Sequence, residues 1–144
     1  MENNNVTRDS AILLQSFFKH LDRQMKVTKK NQQISVPRLS IIEYLIEEGP
    51  QSLKSLADYR KVRAATMSCL VACLVDDGLV LRANAKHDKR SKLFIVTNKG
   101  KTLADAQAEQ DISVLEKAIE NLTKQEQLML KPSIQLLQKI VNYS

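Results

Sequence analysis

Tryptophan is absent from this 144-residue chain, and glycine and proline each occur only three times. Phenylalanine and tyrosine are also scarce, with three of each. A β-sandwich or barrel needs many turns and usually many glycines. A doubly wound α/β enzyme needs glycine-rich turns between strand and helix. Neither is available, and a helix-rich chain remains. The only two cysteines, Cys69 and Cys73, lie four apart, which is no secreted disulfide framework. On a helix their Cβ vectors would suit a disulfide poorly. The only two histidines, His20 and His87, have no H-x-x-x-H, C-x-x-C or carboxylate cluster beside them. No Ser-His-Asp or Cys-His arrangement and no phosphate-cradling glycine loop is legible. We therefore expect no metal, no cofactor and no enzymatic centre. No apolar run approaches the roughly 20 residues of a membrane span. The start, Met1 to Asn5, has no basic region leading into an apolar core. A soluble cytoplasmic protein without membrane contact is expected.

What is present is positive charge, unevenly placed. The formal net charge is +6. Residues 1–35 carry +3, residues 36–100 carry +4, and residues 101–144 carry −1. In the middle block Arg82, Lys86, Lys89, Arg90 and Lys92 face Asp88 alone, and Arg60, Lys61 and Arg63 form a second cluster. A net charge of this size is ordinary for a solvated surface. Two basic clusters in one block point to a polyanion.

Periodicity supplies the elements. Ile12, Leu13, Leu14, Phe17, Phe18, Leu21 and Met25 recur at helical spacing and predict a helix over 9–26. A polar linker follows over 29–33. Pro37 fits the first turn of a second helix with Ile41, Ile42, Leu45 and Ile46 inward and Gly49 as its stop. Ser52 is a good N-cap for a third helix, with Leu56 and Ala57 inward. A fourth runs from about Arg63 to Asp77, with Met67, Leu70, Val71 and Leu74 inward, Cys73 leaning toward the core, and Gly78 as its stop. The period then becomes that of strands: 79–82 and 93–96 read as a hairpin with a long polar tip over 83–92. Thr97 caps the next helix, and Thr123 to Glu126 is a capping box for a last one, which Pro132 should kink or break. The fold class is mainly α with a small β-wing.

The stretch from Val62 to Ser68, then Leu70, Leu74 and Asp77 to Val80, then His87 to Ser91 and Phe94 to Gly100, resembles the MarR family of bacterial transcription regulators. These segments are similar to the family's recognition helix, its acidic-x-Arg wing and its L-T-x-x-G turn. The resemblance implies one MarR-type domain over 1–144. Its winged helix-turn-helix DNA-binding lobe spans 37–97, and dimerisation helices occupy 9–26 and 98–142. It implies a homodimer on double-stranded, pseudo-palindromic DNA, most often a repressor. It also implies a possible phenolic or anionic small-molecule effector, whose contact residues stay unknown. His20 and Tyr44 read as helix-packing residues first.

With Leu70 at the centre of the buried side, the outer face of the fourth helix is Ala65, Ser68 and Ala72, flanked by Ala64 and Cys69. Small residues admit a helix to the major groove but offer few donors, mainly Thr66, Ser68 and Arg63. The family often has Ser at Ala65 and Arg at Cys69, so direct readout is expected to be weak. The wing then matters more. By resemblance Arg90 enters the minor groove, and Asp88 supports the tip by pairing with a basic neighbour. Lys86, His87, Lys89 and Lys92 are expected to face phosphates, and Ser52, Lys54, Arg60 and Lys61 are further candidates for backbone contact. The alternative is a winged-helix protein-interaction module that has lost specific DNA readout, favoured by the bland outer face.

Overall fold

A computed structural model describes residues 2–28 and 34–143. The order is α1 (Glu2–Thr28), α2 (Val36–Glu48), β1 (Gln51–Ser52), α3 (Leu53–Arg60) and α4 (Ala64–Asp76). Then come β2 (Val80–Ala85), β3 (Asp88–Val96), α5 (Asn98–Glu120) and α6 (Lys124–Asn142). The fold is mainly helical, with one antiparallel sheet in the order β1-β3-β2. The chain forms two compact units, one up to Gly100 and one from Lys101 onward, with α5 starting in the first. Among the described residues no helix is long and apolar enough to cross a membrane.

In the first unit, local chemistry sets each boundary. Pro37 stands in the first turn of α2, where its missing N–H costs nothing. Gly49 ends that helix at φ 76°, a left-handed conformation that glycine adopts without penalty. The Ser52 hydroxyl accepts from the Ser55 N–H at 3.1 Å and caps α3. Lys61 closes α3 in the left-handed region at φ 52°. After α4, Gly78 turns at φ 71° and the chain enters β2. The Thr97 hydroxyl donates to the Gly78 carbonyl at 2.7 Å and accepts from the Gly100 N–H at 3.1 Å, so it ties the start of α5 to the end of α4.

The core of this unit is Leu39, Ile41, Ile42 and Leu45 from α2, Leu56 and Ala57 from α3, and Met67, Val71 and Leu74 from α4. Val80 and Phe94 close it from the sheet. Each fully buried side chain of this size stabilises by roughly 1.5–3 kcal/mol. The Arg38 guanidinium bonds the Asp77 carboxylate and so links α2 to the end of α4. Tyr44 stacks on Tyr59 with ring centroids 3.9 Å apart, an α2–α3 packing pair.

The structure corrects several expectations. The helix expected over 9–26 is longer, and the linker expected over 29–33 lies outside the described residues. Ile46 is 41% exposed and Leu39 takes its place in the core. Cys73 is exposed, because the buried stripe of α4 is the narrower Met67, Val71 and Leu74 and leaves Leu70 half-buried at its edge. The strands run well into the expected tip, leaving only Lys86 and His87 between them. The two-residue β1 carries no periodic signal and was not foreseen. Pro132 does not break α6, which continues from Lys124 to Asn142.

In the second unit, the capping box opens α6. The Thr123 N–H donates to Glu126 Oε2 at 2.8 Å, and the Glu126 N–H donates to the Thr123 hydroxyl at 3.3 Å. Immediately after Pro132, helical bonding is supplemented by Ser133, whose hydroxyl donates to the Met129 carbonyl at 2.8 Å.

Candidate nucleic-acid interface

Three elements of the first unit carry the expected residues. On α4, Ala64, Ala65, Thr66, Ser68 and Cys69 are exposed while Ala72 is half-buried, so the small outer face read from the sequence exists over the first half of the helix only. Arg63 precedes it as an exposed N-cap in extended conformation. No side chain on the face is longer than cysteine, threonine or serine, which leaves the helix backbone accessible to a groove.

The wing is built from a hairpin with an irregular register. Val80 through Asn84 pair with Val96 through Lys92 in sequence, but Ala85 pairs with Asp88. Three residues of β3, Lys89, Arg90 and Ser91, are therefore surplus and form a bulge. Asp88 holds this bulge. Its carboxylate accepts from the Arg90 backbone N–H at 2.9 Å and from the Ser91 hydroxyl at 2.9 Å. These bonds favour the charged form, the Arg90 N–H most, and keep the Asp88 carboxyl below the ordinary aspartate range. Asp88 thus supports the wing through a backbone amide and a hydroxyl, where pairing with a basic side chain was expected. Arg90 is left exposed at the bulge. Lys92 donates to Asn84 Oδ1 at 2.8 Å across the hairpin. Lys86 is exposed in the turn, and the side chain of Lys89 lies outside those described.

A cleft of about 400 Å³ lies where α3, α4 and the wing meet. It gathers Ser52, Lys54, Ser68, Arg90 and Lys92 from the expected set. It also contains four residues that sequence reasoning did not assign: Leu53, Arg82, Ser91 and Phe94. Arg82 pairs across the ladder with Phe94, and its guanidinium carbon sits 5.6 Å from the Phe94 ring centroid. A cation above an aromatic face is attracted by the ring quadrupole, which restricts the arginine to one side of the sheet. The only sequence signal for Arg82 is its membership of the basic cluster. Arg60, Lys61, Arg63, Ala65, Thr66, Cys69 and Lys86 do not line this cleft. Arg60 is half-buried, with a buried Nε that has no hydrogen-bond partner. Among the described residues no group of three or more His, Cys, Asp or Glu is placed to hold a metal ion.

Known proteins share this architecture. Residues 34–92 match the MarR family model. An uncharacterized HTH-type transcriptional regulator of Mycobacterium bovis, Mb0904, is 28% identical over 124 residues, covering 86% of this chain and 87% of the relative. A MarR family protein from Bacillus stearothermophilus superposes with a TM-score of 0.74 at 19% identity, over 96% of this chain and 97% of that one. A mutant of Staphylococcus aureus MepR, solved bound to an oligodeoxyribonucleotide, superposes with a TM-score of 0.70 at 17% identity, over 89% and 97%. The family match spans the lobe that holds the small-faced helix and most of the arginine-bearing wing, and the shared fold extends over nearly the whole chain: residues 34–92 match the MarR family, within a winged-helix fold similar to that of solved MarR family structures.

Proposed function

We propose that this regulator works in the cytoplasm as a homodimer on a pseudo-palindromic duplex site, as a repressor released by a small phenolic or anionic effector. The wing carries this reading: a bulge held by Asp88 projects Arg90 outward beside an α4 face of small exposed residues. In this arrangement α4 enters the major groove and Arg90 the minor groove, where narrow A·T-rich segments attract a guanidinium. The expected contacts Ser52, Lys54, Lys86, Lys89, Lys92, Arg60 and Lys61 hold phosphates, and Arg63, Ala65, Thr66, Ser68 and Cys69 meet base edges or the backbone. The solved MepR mutant bound to an oligodeoxyribonucleotide supports the class of partner.

Dimerisation is supported by exposed apolar residues on both end helices. On α1 these include Ile12, Leu13 and Phe17, and on α6 Leu128, Leu136 and Val141. Apolar surface of this extent is seldom left to water. A two-fold dimer and a palindromic site match each other in symmetry.

The test is a titration of duplex DNA from upstream of the chain's own coding sequence, at moderate salt. Arg90→Ala should weaken binding by about 1–3 kcal/mol. Equal affinity of wild type and variant would remove the wing from the reading. A second reading, a protein-interaction module without DNA readout, is favoured by the nearly donor-free face of Ala64, Ala65 and Cys69. Failure of the wild-type chain to retard any duplex at low ionic strength would select it.

A further inference from the structure

We infer that the cleft between α3, α4 and the wing is a seat for one backbone phosphate of the duplex, with Arg82 as its principal anchor. The inference rests on the DNA-binding reading above and adds to it a residue and a defined place. Arg82, Lys54, Arg90 and Lys92 all line the cleft, and none of its lining residues is acidic. Asp88 is the nearest carboxylate in sequence to this wall, and its oxygens are already occupied by the Arg90 N–H and the Ser91 hydroxyl. Four like charges around one small volume repel each other, and an anion between them removes that repulsion. Two further features favour phosphate. The Ser52 and Ser68 hydroxyls line the same space and can donate to phosphate oxygens. The guanidinium of Arg82 rests over Phe94, so its planar fork is pre-oriented, and a fork matches two phosphate oxygens better than an ammonium does. The apolar floor offers little to an aromatic ligand, because Phe94 is only 4% exposed. The cleft adjoins Ser68 on the outer face of α4 and Arg90 on the wing, the two sides that a duplex would span.

The experiment is fluorescence anisotropy with a labelled mixed-sequence 30-base-pair duplex across a salt series, because a phosphate contact does not depend on sequence. Arg82→Gln should weaken binding about tenfold and lower the salt slope by about 1 for each copy bound. Arg82→Lys should restore the slope while recovering only part of the affinity, an outcome that a purely structural role for Arg82 would not give. Lys54→Gln, on the α3 wall, provides a second route should Arg82→Gln fold poorly. Combined with Arg82→Gln, its loss should be smaller than the sum of the two, because both face one phosphate. Wild-type affinity and slope in a folded Arg82→Gln, or strictly additive losses, would overturn the inference while leaving the DNA-binding reading intact. No binding by the wild-type chain would overturn both. Replacing chloride by inorganic phosphate at fixed ionic strength should change duplex binding less than twofold. Displacement of the duplex by millimolar phosphate would instead assign the seat to a free anion and overturn the duplex assignment.

Discussion

Gly100 shows how closely single residues are fitted where the sheet meets the next helix. A Cβ there would lie 2.4 Å from the Leu79 carbonyl oxygen and 2.9 Å from Val96 Cγ2. The first neighbour is backbone and has little freedom to move. Gly100→Ala gains up to about 1 kcal/mol of helix propensity. The overpacking cost of about 1–3 kcal/mol should outweigh it. A lower urea midpoint with unchanged m is the expected result. Asp88 gives the residue scale a pH dependence. Its folded pKa is depressed below the ordinary 3.8 by the Arg90 N–H first and the Ser91 hydroxyl second. A depressed carboxyl stabilises above its unfolded value and loses that contribution as pH falls through the folded one. The bulge should therefore hold at neutral pH and loosen only below about pH 4. Amide exchange at Arg90, followed against pH, checks this, and Asp88→Asn should loosen the bulge at pH 7.

Among the elements, α6 depends visibly on its start. Thr123→Ala removes the hydroxyl that accepts the Glu126 N–H, a cap that contributes about 1 kcal/mol. Faster amide exchange in the first turn of α6, with the rest of the helix little changed, is the expected signature. This cap was legible in the sequence because a capping box is a local pattern, as were the Gly49 stop, the Ser52 cap and the Thr97 cap. The wing was only half legible. Its strands could be found, but their length could not, because Ala83 to Lys92 holds no large apolar residue on either face, and the alternation of Ala83 and Ala85 with Arg82, Asn84 and Lys86 is a weak strand signal. Only pairing to a partner strand defines it, and the Asn84–Lys92 register and the bulge after it are such long-range facts. For the same reason Arg82 could be counted as a charge but not set over Phe94. Cys73 was misplaced by taking Leu70 as the centre of the buried stripe, when the stripe of Met67, Val71 and Leu74 centres nearer Val71. Pro132 is expected to kink or break α6; the helix does not break there, because a single lost bond is tolerated within a 19-residue helix.

For the molecule as a whole, the exposed apolar residues of α1 and α6 predict association. Sedimentation equilibrium should return the mass of two chains. Replacing both Leu136 and Ile140, now 61% and 54% exposed, by Glu should return that of one. An unchanged mass would remove α6 from the interface. One more property of the chain bears on how such an assembly can be watched. Its only two thiols, Cys69 and Cys73, both stand exposed on α4. A maleimide dye added to the unmodified protein would therefore mark that helix and nothing else. With Cys73→Ser leaving one mark per chain, energy transfer within a symmetric pair would measure the gap between the two copies of α4, and so register any ligand that changes it.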